Sequence, residues 1–446
     1  MRIYILLLDL LIFLLTVFAV LKVRYLDFTV PFFINNCKVM IPVFFIITIV
    51  LFIFSFYDLK TLYKRQKDYI NIAMAFIITF LFSATGIYFG VNIVNIVTPK
   101  TNLIYVFIIY FVYIYISRKL YTVLNLAKTN IISFGTGAAL NKIKRELLSL
   151  PNYNLSYEFK DIEEFKNSKI NIDIKDIDLV LLQNKLLYNN KKTLELIAEK
   201  FINRGTLLKI DLDFFEELFL KVPKEGLKDD MWLLLGVSAR EKHMFYPVIK
   251  RLLDVTISLA LIPFCLPIGI IIYILIKFID KQPPFFLQKR VGIGEKDIYI
   301  YKFRTMISDT ERPTRLGNIL RRFRLDEIPQ LLNILKGDIA IAGPRPVWTE
   351  EYKYLNAFIP NHPLRVIIKP GLTGWAQLNF KAPPVYCVLS KPVFKNDEEQ
   401  EEYFKDAIIR FAYDLWYIKN YSFFLDLEIL FKTIRRMFIK DKHVSQ

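Results

Sequence analysis

Four apolar runs near the start of the chain restrict its possible folds more than any other feature. They occupy residues 3–22, 39–57, 71–95 and 102–117, and each is long enough, or nearly so, to cross the hydrocarbon core of a bilayer. A composition with 54% hydrophobic residues and 39 Phe is also too apolar for an entirely soluble protein. The sequence therefore predicts a four-helix transmembrane domain over residues 1–118.

Basic residues in the connecting segments predict how this domain is oriented. The segment DLKTLYKRQKDY between the second and third runs holds four Lys/Arg, and SRKLY follows the fourth run, whereas the turn NIVTPKTN holds one. Because positive residues accumulate on the cytoplasmic side, we expect a multi-pass protein of a bacterial inner membrane with everything after residue 118 in the cytoplasm. The first run lacks a small-residue cleavage site and is interpreted as a retained helix.

The overall charge restricts the partners. A net charge of +17 and a pI of about 9.4 suit an anionic lipid surface or a phosphorylated substrate. Nucleic acid ranks below both because of the high hydropathy, and it is not expected as a partner. The three Cys and three His are scattered without a CxxC pair, so neither a disulfide framework nor a zinc site is indicated.

A central region from residue 119 to 246 predicts a different fold. Short apolar runs alternate there with polar helical patterns, which is typical of a small α/β domain with a parallel sheet. Gly135-Thr136-Gly137 lies at a strand-to-helix turn, where a Rossmann-like fold places its phosphate loop, but Leu140 replaces the third glycine of GxGxxG. A tight turn in a structural or regulatory domain is therefore favoured over an NAD site.

The uncharged stretch Val255–Ile276 could be taken for a fifth spanning helix. Pro263 and Pro267 lie in its middle, where proline removes a helical hydrogen bond and kinks the axis. Basic residues flank the stretch on both sides: Lys250, Arg251, Lys277 and Lys281. These features predict a re-entrant helix over about residues 248–279 that bends near Leu266-Pro267 and leaves on the cytoplasmic face. A kinked spanning helix is the alternative.

The region that follows this helix is the most basic part of the chain. In YKFRTM, Lys302 and Arg304 are two residues apart on a strand-like segment, so their side chains should share a face. Two cations aimed in one direction suit a diphosphate. The alternatives are a solvated charged face or attraction to anionic lipid.

Two adjacent carboxylates, Asp326 and Glu327, lie where a helix is predicted to start in RLDEIPQLLNILKGD. Pro329 is tolerated in a first helical turn and Gly337 supplies a C-terminal stop, so both acids are predicted at the helix N-terminus. The helix dipole and free N–H groups stabilise anions there. For an isolated Asp before a helix, an N-cap is the simpler interpretation.

The neighbours of the two acids favour a catalytic or metal-binding role over a role in capping the helix. Arg321, Arg322 and Arg324 lie just upstream, and GPRP holds Arg345 between two prolines in a stiff loop suited to gripping an oxyanion. An Asp-Glu pair beside such cations can hold Mg²⁺ together with a phosphate, because Mg²⁺ needs only one or two carboxylates. A carboxylate can also attack phosphorus and form an aspartyl phosphate. The sequence thus predicts a phosphate-handling enzyme.

Two further segments carry weaker signals. The glycine-punctuated turn Lys369–Phe380, with Trp375 and Gln377, is interpreted as a rigid pocket wall, and structural packing is an equal alternative. The C-terminal segment YDLWYIKNYSFFLDLEILFKTIRRMF predicts an amphipathic, aromatic-rich helix that would lie in the membrane interface. A core helix is nearly as well supported.

Seven motifs in this part of the chain resemble, in the same order, those of the bacterial sugar transferases. These enzymes are polyprenyl-phosphate hexose-1-phosphate transferases, or monotopic phosphoglycosyl transferases. The resemblance covers about residues 248–436, and the N-terminal half resembles the long members of the family, with four membrane helices and a degenerate Rossmann-like domain. The motifs are KRLLDVTISL, PFFLQKRVGIG, YKFRTM, RLDEIPQLLNILKGD, AGPRP, KPGLTGWAQLN and YDLWYIKNYS.

The resemblance implies a mostly α-helical catalytic domain over residues 247–446 and a two-step reaction. The donor would be a nucleotide diphosphate sugar, in particular a UDP-sugar, and the acceptor a polyprenyl (undecaprenyl) phosphate, with Mg²⁺ as cofactor and membrane lipids around the enzyme. Asp326 would attack the β-phosphate of the donor, and Glu327, with Asp326, would bind the metal. The product would initiate a polysaccharide such as an exopolysaccharide or O-antigen. Substrate phosphates would be held by Lys302, Arg304, Arg321 and Arg345.

The chain departs from the family pattern in three places. Leu266 replaces the usual serine before Pro267 at the kink, so the kink would depend on the prolines alone. The segment between FRTM and the arginine-rich helix is short and lacks the common D-P-R-x-T sequence, and Phe380 stands where a glycine is usual. The short segment bears on metal and donor contacts, and Phe380 bears on the identity of the sugar.

Two other functions compete with this interpretation. The first is a membrane-bound, NAD-dependent sugar-nucleotide epimerase or dehydratase that would use the α/β domain. The second is a non-enzymatic subunit of a polysaccharide export assembly whose basic region grips lipid head groups. The identity of the sugar, the polysaccharide made, the role of the α/β domain and the oligomeric state, with a homodimer as one candidate, stay open.

Overall fold

The computed structural model divides the chain into two compact units, Met1–Lys128 and Thr129–Gln446. The structure describes residues 2–25, 28–53, 100–124, 129–149, 153–168, 177–189, 201, 206–230, 233, 246–307, 312–380, 387–388, 391–392, 394 and 396–438.

The first unit consists of apolar helices in its described residues. They are α1 (Arg2–Arg24), α2 (Val30–Ile53) and α3 (Lys100–Leu124). Phe13, Phe44 and Tyr110 pack together at its centre with ring centroids 5.2 to 6.4 Å apart. Asp9, which is fully buried, accepts a hydrogen bond from the hydroxyl of Tyr113 at 3.3 Å. A buried carboxylate with a hydroxyl partner avoids the full cost of desolvation.

These helices confirm part of the membrane prediction. The predicted first, second and fourth runs fall on α1, α2 and α3, although α2 begins at Val30, upstream of the predicted start at 39. The hydroxyl of Thr29 accepts a hydrogen bond from the N–H of Phe32, which stabilises this earlier start. The predicted third run, residues 71–95, lies outside the described residues.

The protein is membrane-associated by the length and apolar character of its helices. In the described part of the chain, Leu6–Arg24 and Tyr246–Asp280 are long and apolar enough to cross a bilayer. Helix α2 adds a third candidate if its parts Val30–Lys38 and Met40–Thr48, bent by 43°, form one span. Pro42 inside α2 is a physical cause for such a bend.

The second unit begins with the predicted parallel-sheet α/β region. Its described elements are β1 (Thr129–Phe134), α4 (Ala138–Leu148), β2 (Tyr153–Phe159), α5 (Ile162–Asn167), β3 (Leu179–Leu182), α6 (Asn184–Asn189), β4 (Leu207–Ile210) and α7 (Asp211–Phe219). Every pairing among these strands is parallel, in the order β2-β1-β3-β4. All four residues of β3 are buried, as expected for a strand covered on both faces.

The C-terminal region is mostly helical. Its described elements are α8 (Tyr246–Leu275), which continues as a π-helical turn over Ile276–Asp280, then β5 (Phe285–Val291), β6 (Asp297–Phe303), α9 (Arg315–Arg322), α10 (Gln330–Lys336), β7 (Ala340–Ala342), α11 (Thr349–Phe358), β8 (Gly371–Thr373), α12 (Trp375–Asn379), β9 (Cys387–Val388), β10 (Lys391–Pro392), α13 (Asp397–Asn420) and α14 (Phe423–Phe438). Strands β5 and β6 form an antiparallel hairpin, and β7 pairs in parallel with β8.

Helix α8 packs one side against the rest of this region. Near its start, the Arg251 guanidinium donates to the carbonyls of Ile334 and Leu335 at 2.5 and 2.6 Å, which satisfies free carbonyls at the C-terminus of α10. At its far end, the hydroxyl of Thr314 donates to Asp280 at 2.8 Å. Both ends of α8 therefore contact the same folded body.

The middle of α8 approaches the centre of this body. A Cβ atom on Gly269 would lie 3.9 Å from the side chain of Ile328 and 3.7 Å from the ring of Phe303. Much of the remaining surface of the helix is exposed and apolar, with Phe264 at 73% exposure and Leu266 at 59%. Both prolines lie inside the helix, so the predicted bend and re-entrant path stay predictions.

The α/β region and the C-terminal region share one hydrophobic core. Helix α7 of the α/β region packs on α13, and residues from both contribute to the same buried cluster. Lys419 on α13 forms an ion pair with Glu216 on α7 at 2.9 Å, and the indole N–H of Trp375 donates to the carbonyl of Leu220 at 2.9 Å. The two regions therefore belong to one compact unit, and the boundary at residue 246 stays a prediction.

Candidate active site

The two predicted site carboxylates lie in a tight turn between two helices. Helix α9 is followed by Arg324 in the left-handed region, with φ of 56°, and then by a 3₁₀ turn over Leu325–Glu327. Asp326 and Glu327 belong to this 3₁₀ turn, ahead of α10 and not in its first turn as predicted. Pro329 occupies the N-cap position of α10, so Asp326 is not the cap of that helix.

The end of α10 agrees with the sequence. Gly337 follows the helix with φ of 90°, and its N–H donates to the carbonyls of Asn333 and Ile334 at 3.0 Å. Glycine is favoured in this conformation because it has no Cβ atom. The predicted helix stop is confirmed, and it fixes the length of the segment that follows the acidic turn.

Glu327 lies between two guanidinium groups. Its carboxylate oxygens are each 3.9 Å from a guanidinium nitrogen, one of Arg324 and one of Arg345. The Glu327 side chain is 14% exposed. Contacts with two cations restrict the orientation of the Glu327 carboxylate. Glu327 thus lies among cations in the lining of the pocket.

Asp326 has a different environment from its neighbour. Burial raises the pKa of the Asp326 carboxyl, and the negative charge of Glu327 raises it further, while Lys302 and Arg321 oppose the shift. A carboxylate that is partly desolvated is a better nucleophile than one in water, since its hydration shell is reduced. The structure thus brings the predicted Arg321 and Lys302 close to the predicted nucleophile.

Lys302 lies on β6 and is partly buried. Burial lowers the pKa of its ammonium to about 8, and the positive charge of Arg345 adds to the decrease. Glu327 and Asp326 oppose this shift, so Lys302 is close to both acids and to a guanidinium. Like charges that converge in one pocket are typical of a site that binds an anion.

Arg304 follows a different path from Lys302. The strand ends at Phe303, so the two-residue alternation does not extend to Arg304. The Arg304 guanidinium donates to the carbonyl of Pro283 at 3.0 Å and lies 5.6 Å from the ring centroid of Phe286. The structure directs it toward the open end of the hairpin, and its role as a phosphate ligand stays a prediction.

The GPRP loop is fixed by backbone hydrogen bonds. The N–H of Gly343 donates to Thr373 O at 2.9 Å, and the N–H of Gly371 donates to Pro344 O at 2.9 Å. A Cβ atom on Gly371 would lie 2.1 Å from the nitrogen of Gly343, so these two segments can approach only because both positions are glycine. The backbone of the predicted stiff loop is thus tied to the neighbouring segment around Gly371.

A buried ion pair supports the loop from behind. The Arg365 guanidinium donates to the carbonyl of Arg345 at 3.2 Å and to the Asp414 carboxylate at 2.7 Å. Both side chains of the pair are at most 3% exposed. The backbone of Arg345 is thus held in place while its own side chain, 40% exposed, reaches toward Glu327.

These elements enclose a small pocket. Neither Arg290 nor Gln330 was singled out as a site residue from the sequence, although Arg290 has the right alternation along β5 to share a face with Lys302. The lining residues are Arg290, Ile300, Lys302, Glu327, Gln330, Arg345, Pro346, Gly371 and Leu372.

The predicted pocket wall Lys369–Phe380 divides into two parts. Gly371 and Leu372 line the pocket, as the wall prediction requires. Trp375 instead is buried and stacks on Trp416 with centroids 5.1 Å apart. The first part of the segment contributes to the site, and the second part is structural packing.

The acidic turn is compatible with a magnesium ion. In the described residues, no group of three or more His, Cys, Asp or Glu could form a cage of protein ligands. Mg²⁺ does not need such a cage, because one or two carboxylates, a substrate phosphate and water can complete its coordination. Asp326 and Glu327 supply that number of carboxylates beside cations that suit a phosphate.

The glycine turn of the α/β region has no comparable space. The side chain of Gln183, just after β3, fills the turn between β1 and α4, and its amide oxygen accepts a hydrogen bond from the N–H of Thr136 at 3.1 Å. A Cβ atom on Gly135 would lie 2.4 Å from the Cβ of Gln183. In a dinucleotide-binding fold the pyrophosphate would occupy this place, so the arrangement favours the structural interpretation of the turn.

Comparison with known proteins gives a family match to the region that contains the pocket. A family model described as bacterial sugar transferase matches residues 245–440. The chain is 37% identical over 205 residues to the UDP-N-acetylgalactosamine-undecaprenyl-phosphate N-acetylgalactosaminephosphotransferase of Aeromonas hydrophila, a match that covers 43% of this chain and 44% of that protein.

Two further relatives differ in how much of their length is matched. The uncharacterized sugar transferase EpsL of Bacillus subtilis is 34% identical over 206 residues, which cover 44% of this chain and 89% of EpsL. The UDP-glucose:undecaprenyl-phosphate glucose-1-phosphate transferase of Xanthomonas campestris pv. campestris is 30% identical over 243 residues, or 52% of this chain and 47% of that protein. The matches thus span about half the length of two relatives and most of the third.

Proposed function

Because the chain belongs to the bacterial sugar transferase family, we propose that it transfers a sugar 1-phosphate from a nucleotide diphosphate sugar to a polyprenyl phosphate. The observation that carries this proposal is the pair Asp326-Glu327. Glu327 lines a pocket with Lys302 and Arg345, and the adjacent Asp326, which does not line that pocket, is close enough for the charge of Lys302 to act on it. The names of two matched relatives, which include a UDP-sugar and undecaprenyl phosphate, support UDP and undecaprenyl as the specific groups.

In the first step, an oxygen of the Asp326 carboxylate attacks the β-phosphorus of the donor. The bond from that phosphorus to the bridging oxygen breaks, and its electron pair stays on the bridging oxygen. Nucleoside monophosphate leaves, and the sugar phosphate is bound covalently to Asp326. Lys302, Arg321 and Arg345 stabilise the charge on the phosphoryl oxygens, which is the main contribution that fixed cations make to phosphoryl transfer.

In the second step, an oxygen of the polyprenyl phosphate attacks the same phosphorus. The bond to Asp326 breaks, and the carboxylate is regenerated as polyprenyl diphosphate sugar is released. The two displacements divide one difficult transfer into two. Glu327 and Asp326 would hold Mg²⁺, which when bound would neutralise phosphate charge during both displacements.

The active site belongs on the cytoplasmic face, where nucleotide sugars are made, and α8 would enter and leave the membrane on that face. A straight helix over Tyr246–Asp280 would be roughly 50 Å long, which exceeds a hydrocarbon core of about 30 Å. Its two ends would then emerge on opposite sides. Contacts of Arg251 and Asp280 with one folded body support a same-face path instead.

The experiment uses membranes that contain the full chain, incubated with labelled UDP-sugars and undecaprenyl phosphate. We expect labelled lipid and released UMP from the wild type, and neither product from Asp326→Asn, which has almost the same volume. The matched control is Asp338→Asn, an acid beyond the end of α10 that does not line the pocket. Transfer that survives Asp326→Asn would overturn the proposed nucleophile.

The same assay separates the two competing functions. Conversion of the sugar that depends on NAD and survives Asp326→Asn would favour an epimerase or dehydratase, although Gln183 fills the turn that would bind the cofactor. Absence of any lipid product with every UDP-sugar, while the protein still binds membranes, would favour an export subunit.

A further inference from the structure

We propose that Arg290 binds the phosphate of the nucleoside monophosphate that leaves in the first step. This inference rests on the proposed function and assigns a role to the arginine of the motif PFFLQKRVGIG, for which the sequence analysis gave none. It divides the cations of the pocket into a group that acts on the transferred phosphate and one that receives the departing phosphate.

The hairpin directs Arg290 into the pocket. In the antiparallel register of β5 and β6, Arg290 is opposite Ile298 and Lys302 is opposite Phe286. Residues directly opposite each other share a face, and alternate residues of one strand share it as well. Arg290 and Lys302 therefore lie on one face of the hairpin, whereas Lys289 points to the other face.

The Arg290 guanidinium is held in a defined position. It donates to Pro346 O at 3.2 Å and to the side-chain oxygen of Gln288 at 2.7 Å, and it lies 4.9 Å from the ring centroid of Trp348. The N–H of Val291 donates to Val347 O at 3.0 Å and ties the strand to the same loop. A cation fixed in this way loses little entropy when it binds an anion.

Arg290 lies at the part of the pocket wall formed by the GPRP loop. It lines the pocket together with Glu327, Lys302 and Arg345, and it donates to the carbonyl of Pro346, the residue after Arg345. Asp326 does not line the pocket itself and adjoins it through its neighbour Glu327. A phosphate in the pocket would therefore contact Arg290 with the acidic turn to one side of it.

This position suits the geometry of the displacement. The attacking and leaving oxygens lie on opposite sides of the phosphorus in an in-line transfer. When the bond from the β-phosphorus to the bridging oxygen breaks, that oxygen becomes a terminal oxygen of the α-phosphate and gains one negative charge. The Arg290 guanidinium, at the pocket wall beside Pro346, would receive this charge through charge-assisted hydrogen bonds. No proton transfer is required.

Repulsion among the cations gives independent support. The positive charges of Arg345 and Arg290 both contribute to lowering the pKa of Lys302. Three cations that line one pocket repel one another in the free protein, which costs folding free energy, and a bound phosphate relieves that repulsion. The cluster is therefore built for an anion.

The test compares Arg290→Gln with the control Lys289→Gln in full-length protein. Lys289 is the adjacent residue on the opposite face, half exposed, in an ion pair with Asp297 at 2.8 Å. We expect Arg290→Gln to raise the inhibition constant for UMP by about tenfold or more, since a hydrogen bond to a charged group contributes roughly 1.5–3 kcal/mol. Lys289→Gln should leave it within about twofold.

A second measurement excludes a purely structural role. Arg290→Gln should raise the inhibition constant for UMP but leave that for uridine, which lacks the phosphate, within about twofold. A variant that simply distorts the loop at Pro346 would weaken the binding of both. Equal losses for UMP and uridine, or an unchanged UMP constant, would overturn the assignment.

Arg290→Lys keeps the inference testable if the glutamine variant does not fold. Lysine keeps the charge but cannot form the planar, bidentate contact, so we expect a smaller increase in the UMP constant than for glutamine. An unchanged constant in Arg290→Lys would count against bidentate phosphate binding. UMP binding that stays intact in a wild type unable to use any UDP-sugar would refute the proposed function but not this site.

Discussion

The turn at Gly135-Thr136-Gly137 and the turn at Asp326-Glu327 both follow the pattern of phosphate sites, yet they differ in what surrounds them. In the first, the side chain of Gln183 fills the space beside the backbone and bonds to it. In the second, a cation-lined pocket opens next to the acids. The comparison teaches that a glycine turn is only a backbone shape, and that space and charge decide whether it binds a phosphate.

Arg345→Ala is expected to have the largest effect, and it tests whether the pocket beside the second turn serves the transfer reaction. We expect sugar-phosphate transfer to fall by roughly 10²- to 10³-fold, the usual effect of removing one group that stabilises transition-state charge. The measurement is the initial rate of lipid labelling at saturating donor. Gln183→Ala in the other turn should keep the wild-type rate within about twofold. A loss of transfer in Gln183→Ala would mean that the glycine turn serves the reaction after all.

Gly135→Ala examines how tightly the first turn is filled. Its φ of 119° is unfavourable for alanine, and the new methyl would lie 2.4 Å from the Cβ of Gln183. The strained backbone should cost about 1–3 kcal/mol of unfolding free energy, and the crowding about 1–3 kcal/mol more. Denaturant unfolding measures both. The control is Gly294→Ala, where φ is 61° but no atom lies within 4 Å, and equal costs at both positions would contradict the crowding.

The pH dependence of kcat/KM tests the roles proposed for Lys302 and Asp326 at the second turn. Lys302 must be protonated to hold a phosphate, so kcat/KM for the donor should fall as pH rises through about 8, by about tenfold per unit beyond it. Asp326 must be ionised to attack, so the acid limb should begin at a higher pH than for an ordinary aspartate, because burial raises the pKa of its carboxyl.

Lys302→Arg provides the control for the alkaline limb. Arginine keeps its charge throughout this range, so the decrease near pH 8 should disappear even if the maximal rate is lower. An alkaline limb that persists unchanged in this variant would show that another group causes it.

Gly137→Ala should have the smallest effect. Its φ of −63° suits any residue, and the atom that a Cβ would meet, 2.7 Å away, is the amide nitrogen at the end of the Gln183 side chain. That end can rotate, so we expect a loss below about 1 kcal/mol, similar to other N-cap changes. Thermal unfolding checks this, and a cost as large as that of Gly135→Ala would mean that the Gln183 amide is rigidly fixed.

Local signals in the sequence predicted the elements that carry the site. The run LVLL reads as a buried strand, and Gly337 reads as a helix stop, because both depend on neighbours within a few residues. The contact between Thr136 and Gln183 joins residues 47 positions apart. No local pattern reports such a contact, so the filled turn could not be predicted.

Two cations of the hairpin could not be placed from the sequence for a similar reason. Arg304 was expected to share a face with Lys302, and Arg290 was not predicted as a site residue. Alternation predicts a shared face only inside a strand, and β6 ends one residue before Arg304. Arg290 follows the alternation of β5, but its inclusion in the pocket depends on the register with β6 and on the loop at Pro346. Register and loop contacts arise from tertiary packing, which a single sequence does not specify.

The packing of α8 against the acidic turn has a mechanical consequence. Ile328, which directly follows the acidic pair, packs against the hydrophobic cluster that contains Ile272 of α8. The depth and tilt at which lipid holds α8 would then set the height of Asp326 above the acyl chains. On the proposed mechanism, membranes with shorter or longer acyl chains would therefore change the alignment between the Asp326 carboxylate and the lipid phosphate.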